Sequence, residues 1–267
     1  MKKVTVFVGS ARKKHTHYAV TQFLSTLQSL GDVEYEIVAL RDYRLETCRG
    51  CFVCFTRGEE FCPLKDDRDA LIEKIIASDG VVFASPNYSF QVSAIMKTFL
   101  DRLGFVFHRP HFFGKTFTSI VTQGIYGGDK IVKYLDFVGN ALGFNTVKGC
   151  SITMLEPMTE KQKQKIDRAL AAQSRRFYNG LLKPAYPSPA LIKLMAFRMS
   201  RTSIKLMLND SDRDYKYFAE QGWFESDYYY PARLNVLQKL TGSVFDSIAA
   251  GMARRRNKES VLQPAQM

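Results

Sequence analysis

The first 180 residues alternate short apolar runs with segments of helical spacing, and this alternation limits the fold more than any other feature of the chain. The segments between the runs carry apolar residues three and four positions apart, as amphipathic helices do. Continuous apolar runs are typical of strands buried on both faces of a parallel sheet, and right-handed crossovers then give an open, doubly wound α/β sheet. Five runs have this strand character: 3–8, 34–40, 81–84, 117–121 and 147–154.

A proline-rich segment predicts where the α/β domain ends. Residues 183–189 hold three of the nine prolines of the chain and are interpreted as a linker. We therefore expect an α/β domain over 1–182 and a basic, aromatic, helical extension over 190–267. The first part of the extension, 190–209, has a basic flank beside a broad apolar face. Such a helix can lie on a membrane surface, but we expect this face to pack on its own domain or on a second subunit.

Composition excludes several classes of protein. With 267 residues, 46% of them hydrophobic, the chain is long and apolar enough to bury a core. No uncharged stretch has the length of a membrane span, and the apolar run near the N-terminus is too short for a secretory signal. We therefore expect a cytoplasmic protein whose five cysteines are reduced thiols or metal ligands.

The net charge is unevenly distributed along the chain. The formal charge of +12 divides into +4 over residues 1–150 and +8 over residues 151–267. A basic protein can bind nucleic acid, an anionic membrane surface or an acidic partner. Since no nucleic-acid-binding motif is recognisable, we expect no nucleic-acid partner.

The loop after the first strand has the composition of a phosphate site. Gly9 permits a tight turn, and Ser10, Thr16 and the backbone amides at the start of the next helix can surround a phosphate. Arg12 can bind the phosphate through two parallel hydrogen bonds. The loop has neither the G-x-G-x-x-G pattern of dinucleotide sites nor the Gly-Lys-Ser/Thr of a P-loop, so a monophosphate suits it best.

Two further loops follow strands whose carboxyl ends lie at the same edge of such a sheet. The loop after the third strand combines Pro86, Asn87 and Tyr88, which supply a rigid turn and an aromatic ring. The loop after the fourth strand contains Gly124, Gly127 and Gly128, where the backbone can approach a flat heterocycle closely. Ligands of doubly wound sheets bind at this edge.

Taken together, these features resemble the NAD(P)H-dependent FMN reductase branch of the flavodoxin-like superfamily. Three motifs carry the resemblance: the Gly9-Ser10-x-Arg12…Thr16 loop, the Ser85-Pro86-x-Tyr88 turn and the Ser93-x-x-x-Lys97-x-Phe99-x-Asp101-Arg102 helix. The resemblance covers residues 1 to about 180 and implies a five-stranded sheet in the order 2-1-3-4-5 that binds FMN noncovalently.

The resemblance also implies which residues contact FMN. Those expected around the phosphate are Ser10, Arg12, His15, Thr16 and His17. Those expected beside the isoalloxazine are Pro86, Asn87, Tyr88 and Ser89 on one side and Thr122, Gln123, Gly124 and Tyr126 on another. The two histidines depart from the family, which usually has small residues or Asn at these positions.

A dense run of cysteines follows the second strand. Cys48, Cys51, Cys54 and Cys62 form C-x2-C-x2-C-x7-C, followed by Pro63. The run resembles the motif of iron–sulfur flavoproteins, another branch of the superfamily, and this resemblance implies a [4Fe-4S] cluster beside FMN. Three alternatives stay open: buried thiols in a folded loop, a zinc site and a reversible disulfide. The fifth cysteine, Cys150, lies in a predicted strand and is expected in the core.

The resemblance implies an FMN-dependent oxidoreductase that takes hydride from NAD(P)H and passes electrons to a small-molecule acceptor. FMN itself supplies the redox chemistry at N5, so no catalytic side chain is expected. The alternative is an iron–sulfur flavoprotein that carries electrons to a protein partner. In either case we expect a homodimer or homotetramer.

Overall fold

A computed structural model describes the backbone of residues 1–262 and the side chains of residues 1–256, which divide into two compact units. The first, here called the sheet unit, comprises residues 1–49 and 64–185. The second, the C-terminal unit, comprises residues 50–63 and the described residues from Tyr186 onward. The predicted division at 183–189 stays a prediction. The segment 50–63 belongs with the C-terminal helices rather than with the sheet.

The sheet has the predicted parallel order. Its strands are β1 (Lys2–Val8), β2 (Val33–Ala39), β3 (Gly80–Pro86), β4 (Thr116–Gln123), β5 (Asn145–Thr146) and β6 (Cys150–Thr153). All pair in parallel in the order β2-β1-β3-β4-β5, and β6 also pairs with β4. The prediction of a doubly wound 2-1-3-4-5 sheet is therefore confirmed, with the expected fifth strand divided into β5 and β6.

Helices occupy the intervals between the strands and continue beyond the sheet. They are α1 (His15–Leu30), α2 (Val53–Thr56), α3 (Arg68–Ile76), α4 (Ala94–Arg102), α5 (Gly104–His108), α6 (Gly128–Ala141), α7 (Glu160–Leu181), α8 (Leu191–Met207), α9 (Arg213–Glu220) and α10 (Val236–Leu262). Thr159 and Gln162 form a capping box at the start of α7. Within residues 1–262, no helix is long and apolar enough to cross a bilayer.

Alternating residues of β1 supply both layers of the core. Val4, Val6 and Val8 belong to a cluster that includes buried side chains of α1 and α7. On the opposite face, the ring of Phe7 stacks on Phe99 of α4 at a centroid distance of 5.2 Å. Because successive side chains of a strand point to opposite faces, β1 packs against helices on both faces of the sheet. Burial on both faces explains why the strand is a continuous apolar run.

The C-terminal unit is built around the α8–α10 pair and a cluster of aromatic rings. Asp246 of α10 accepts hydrogen bonds from Arg201 and Thr202 of α8, both at 2.7 Å. At the other end of the pair, Gln238 donates to the carbonyl of Pro189 at 2.9 Å, so the two helices run in parallel. The predicted helical extension is thus present. The buried rings of this unit are those of Phe197, Phe218, Trp223 and Tyr228.

Candidate functional site

A cavity of about 860 Å³ lies where the loops after β1, β3 and β4 meet in the sheet unit. This cavity, here called the sheet-end cavity, lies at the edge where ligands of doubly wound sheets bind. The predicted residues that line it are Ser10, Arg12, His15, Thr16, His17, Pro86, Asn87, Tyr88, Thr122, Gln123 and Gly124. The predicted Ser89 and Tyr126 are not among the lining residues. Glu156 and Met158 also line it and were not expected from the sequence.

Close packing against α4 fixes the start of the first loop. A Cβ atom at Gly9 would lie 2.8 Å from the Cβ of Met96, so no larger residue fits without a shift. The Ser93 hydroxyl donates to the carbonyl of Gly9 and accepts from the amide of Met96 at 3.2 Å. Ser93 therefore caps α4 and also fixes the position of Gly9.

The cavity contains a cationic end at the start of α1. Arg12, Lys13 and Lys14 line it, and α1 has no acidic residue in its first turn. Among the described side chains, none caps this helix N-terminus. Backbone amides of an uncapped helix start carry partial positive charge and bind anions well.

The two hydroxyls predicted to contact the phosphate, those of Ser10 and Thr16, also form hydrogen bonds within the protein. Ser10 donates to the carbonyl of Arg12 at 2.9 Å. Thr16, which is buried, shares a 2.7 Å hydrogen bond with the hydroxyl of Thr122 and so ties α1 to β4. These bonds give the loop a defined shape before a ligand binds.

An unexpected carboxylate faces one of the predicted histidines. His15 Nε2 lies 2.9 Å from Glu156 Oε1. This hydrogen bond and a second from the amide of Met158 lower the pKa of Glu156. No sequence pattern relates two residues 141 positions apart, so Glu156 could be found only from the fold. The second histidine, His17, lines the cavity.

A strained turn carries the aromatic side of the cavity. Tyr88 and Gln91 exchange two backbone hydrogen bonds of 3.0 Å, and between them Ser89 and Phe90 have φ values of 49° and 62°. Left-handed backbone is rare for residues other than glycine, so this conformation is imposed by its surroundings. The ring of Phe90 lies 5.3 Å from that of Tyr126, outside the cavity lining.

The loops after β3 and β4 are joined by side-chain amides. Asn87 Nδ2 donates to the carbonyl of Tyr126 at 3.0 Å. Gln123 Oε1 accepts from the amide of Gly128 at 2.6 Å, while its Nε2 donates to Thr153 at 3.0 Å. The Gln123 side chain is thus engaged within the protein at the start of α6.

The residues of the sheet-end cavity fit FMN. A cationic, amide-rich end suits a phosphate, and the far end presents the Pro86–Tyr88 segment and the glycine backbone of Gly124 to a flat ring. A cavity of this volume is of the size that binds a cofactor-sized molecule.

The four clustered cysteines differ in exposure. Cys48 and Cys51 are exposed, Cys54 is half-buried and Cys62 is buried. Within the described part of the chain, no three His, Cys, Asp or Glu side chains are grouped as a metal site. The thiols as they stand therefore do not fit a [4Fe-4S] cluster or zinc, and the proposed reaction includes no step through a metal. Cys150 packs against the core, where burial raises the pKa of its thiol to about 12.

Hydrogen bonds within the sheet unit join the two stretches of chain that flank the cysteine segment 50–63, here called the base of that segment. Asp67 exchanges two hydrogen bonds with the backbone of Arg44, at 2.7 and 2.9 Å. Asp66 accepts from the amide of Glu46 at 2.9 Å and pairs with Arg102 through two hydrogen bonds of 2.9 and 3.0 Å. Asp66 Oδ1 also accepts from the amide of Arg68, the first residue of α3, at 3.3 Å, whereas the side chain of the N-cap residue Asp67 makes no capping hydrogen bond.

The C-terminal unit holds the middle of the same segment. Helix α2, which contains Cys54, packs against α9. Burial disfavours the charge of Arg213 at the start of α9, but a hydrogen bond to Glu220 and the charges of Glu59 and Glu60 raise its pKa. The segment 50–63 is therefore held within the C-terminal unit by packing and by charge.

Comparison with known proteins identifies the family of the chain. Residues 2–155 match the family described as NADPH-dependent FMN reductase. An iron-sulfur flavoprotein of Archaeoglobus fulgidus is 34% identical over 158 residues, which cover 55% of this chain and 70% of that protein. An iron-sulfur flavoprotein of Clostridioides difficile is 28% identical over 221 residues, which cover 80% of this chain and 94% of the other.

Solved structures share the fold at low sequence identity. RosB with bound 8-demethyl-8-formylriboflavin-5'-phosphate has a TM-score of 0.53 at 15% identity, covering 88% of this chain and 92% of its own. An azoreductase from Bacillus anthracis has a TM-score of 0.51 at 14% identity, covering 67% of this chain and 99% of its own. These likenesses show the flavodoxin-like fold. Because the family match spans more than half of the sequence, including β1 to β4 and all three loops of the cavity, the chain belongs to the NADPH-dependent FMN reductase family.

Proposed function

We propose that the protein binds FMN in the sheet-end cavity, takes hydride from NAD(P)H and passes electrons to a small-molecule acceptor. The observation that carries the proposal is the cluster of Arg12, Lys13 and Lys14 at the uncapped start of α1, inside a cavity that ends at Pro86–Tyr88. FMN, when bound, supplies a ring that accepts hydride at N5 and releases electrons to the acceptor. The side chains bind and orient FMN.

The phosphate is assigned to the cationic end. Arg12 offers a planar pair of donors, and the first amides of α1 add partial positive charge. Ser10 and Thr16 shape this end through their hydrogen bonds to Arg12 and Thr122. The ring is assigned to the side of the cavity lined by Asn87, Tyr88 and Gly124.

Replacement of Arg12 tests the phosphate assignment. Because Arg12→Ala removes a charge-assisted contact, we expect the Kd for FMN to rise about 10- to 100-fold. The Kd for riboflavin, which lacks the phosphate, is expected to stay constant. Both constants can be measured by titration of flavin fluorescence with the apoprotein.

The matched control is Arg168→Ala, which removes an exposed arginine of α7. An unchanged FMN affinity in Arg12→Ala, or an equal loss in both variants, contradicts the assignment. Anaerobic mixing with NADH or NADPH tests the reaction itself, since bleaching of the flavin is expected with at least one of them.

A second candidate function is supported by the four-cysteine run and by the relatives named iron-sulfur flavoprotein. In this case the protein passes electrons from FMN to a protein partner, and the four cysteines would have to come together to bind a [4Fe-4S] cluster. The absorbance spectrum of anaerobically purified protein, with iron, zinc and sulfide analysis, separates the cluster from zinc and from free thiols. Failure of both nicotinamides to bleach the flavin, with rapid reduction by ferredoxin, favours the carrier.

The cytoplasmic location and the homodimer or homotetramer expected from the sequence stay predictions. Light scattering of the flavin-loaded protein measures the oligomeric state. Fractionation of cells that express the protein measures its location.

A further inference from the structure

We propose that α10 attaches the protein to anionic lipid surfaces. The helix has a row of exposed apolar side chains along its length, here called the outer stripe, which consists of Leu237, Leu240, Val244, Ile248 and Met252. The exposed fraction of these side chains is 47 to 65%. None of the residues that line the sheet-end cavity belongs to α10.

The spacing places the outer stripe on one side of α10. Steps of three and four residues keep successive side chains within a narrow sector of an α-helix. The packed side of α10 lies elsewhere, because Gly242, Ala249 and Ala253 are buried there. Asp246 also lies on the packed side, engaged by Arg198 and Arg201 of α8. The helix is therefore apolar on two sides, and its contact with α8 covers one of them.

Positive charge continues the outer stripe. Arg254, Arg255 and Arg256 follow directly and are all exposed. At 100° per residue, Arg255 continues the line of the stripe, and the other two arginines flank it. An apolar row that ends in a cluster of arginines provides two signals that together bind anionic membranes, namely insertion of side chains and attraction to headgroups.

A second copy of the chain suits the stripe less well. The stripe is about 22 Å long and about 10 Å wide, so it offers roughly 200 Å², against about 800 Å² per partner in a stable interface. Two copies would also bring together chains of formal charge +12. An anionic bilayer complements both the apolar row and this charge.

Co-sedimentation with vesicles tests the proposal on the full-length, flavin-loaded protein. We expect pelleting with vesicles of phosphatidylglycerol and phosphatidylcholine in equal amounts, and far less with phosphatidylcholine alone. Replacement of the three arginines 254–256 by Gln is expected to lower vesicle affinity on the order of 100-fold. Ile248→Glu is expected to lower it at least about tenfold.

Each variant has a matched control. Lys161, Lys163 and Lys165 of α7 are exposed, and their joint replacement by Gln removes the same charge from another surface. Ile76→Glu makes the same exchange at an exposed isoleucine of α3. Both controls should retain vesicle binding, and all four variants should retain FMN affinity, so the lipid proposal and the flavin proposal can fail separately.

Three results would overturn the proposal. The first is wild-type protein that stays in the supernatant with anionic vesicles. The second is an equal loss of binding in a variant and its control. The third is a dimer in light scattering that Ile248→Glu dissociates, since a second copy would then cover the stripe.

Discussion

At the scale of single residues, the Glu156 carboxylate lies beside the cationic end of the sheet-end cavity. The hydrogen bond with His15 lowers the pKa of Glu156, so the carboxylate is charged at neutral pH. A negative charge there opposes the binding of a phosphate dianion. Glu156→Gln is therefore expected to lower the Kd for FMN roughly threefold or more at low salt, with no change for riboflavin.

The pH dependence of FMN binding follows from the same carboxylate. As the pH falls through the lowered pKa of Glu156, the wild-type side chain becomes neutral and its FMN affinity should approach that of Glu156→Gln. Glu160→Gln, at the exposed start of α7, is the matched control. Equal FMN affinity of the wild type and Glu156→Gln at low salt would place the phosphate elsewhere.

Asp66 and Arg102 form a buried ion pair at the base of the cysteine segment 50–63. Its side chain and that of Arg102 are 1% and 3% exposed. Asp66→Asn leaves the Arg102 charge buried beside a neutral amide, so we expect a loss of about 3–5 kcal/mol in the free energy of unfolding. Asp32→Asn, which changes an aspartate that is 78% exposed, should cost less than about 1 kcal/mol. Urea denaturation at neutral pH measures both.

The stabilisation by Asp66 depends on pH in a defined direction. Burial opposes its ionisation, but hydrogen bonds from Arg102 and the amide of Glu46, with the charge of Arg102, lower its pKa. A lowered pKa stabilises the folded state above the ordinary range for Asp, and this stabilisation is lost as the pH falls through the folded-state value. The difference between the wild type and Asp66→Asn should therefore shrink in acid. A constant difference would mean that the charge of Asp66 does not stabilise the fold.

At the scale of elements, the sequence predicts the strands and helices well where local pattern decides them. β3 and β4 are apolar runs and α7 begins at a recognisable cap, so their existence follows from short-range physics. The division of the fifth strand does not. A Cβ atom at Gly149 would lie 2.1 Å from the Ser119 hydroxyl, and the Gly149 amide donates to Asp136 at 3.2 Å. These contacts at the bend between β5 and β6 exist only after β4 and α6 have packed.

The cavity residues divide in the same way. Arg12 and Tyr88 belong to loops that the strand pattern and the family resemblance identify. Glu156 meets His15 across 141 residues, and Arg213 meets Glu59 and Glu60 from the far end of the chain. Such contacts depend on tertiary packing, which periodicity and spacing do not encode.

Because α2 packs against α9, we expect the buried Cys62 of the segment 50–63 to be protected from alkylation. Arg213→Glu replaces the cation near Glu59 and Glu60 by a like charge, so the segment 50–63 should open more often. We expect the alkylation rate of the buried Cys62 to rise about fivefold or more in metal-free protein. Mass spectrometry after timed iodoacetamide treatment measures the rate. Arg233→Glu, at an exposed position of the same unit, should leave it unchanged. Equal rates in all three proteins would show that the charge of Arg213 does not hold the segment.

At the scale of the whole molecule, the two units divide the proposed tasks between them. The residues that line the sheet-end cavity belong to the sheet unit, whereas the cysteine segment 50–63 belongs to the C-terminal unit. Part of the +8 charge beyond residue 150 also has an expected partner, because Arg254, Arg255 and Arg256 of α10 are exposed and follow an apolar row. Flavin binding should therefore be separable from the properties of the C-terminal unit.

A chain that ends at Ala185 tests this division. The sheet unit retains its two-sided core, so we expect the shortened chain to fold and to bind FMN within about threefold of the full-length affinity, since no cavity contact is lost. The segment 50–63 loses α9, its partner within the C-terminal unit, so trypsin should cleave at Arg57 much faster than in the full chain. Flavin titration and mass spectrometry of the tryptic fragments measure the two effects.

Loss of FMN binding in a shortened chain with native circular dichroism would show that the flavin site needs the C-terminal unit. Unchanged cleavage at Arg57 would show that the base formed by Asp66 and Asp67 is sufficient to order the cysteine segment.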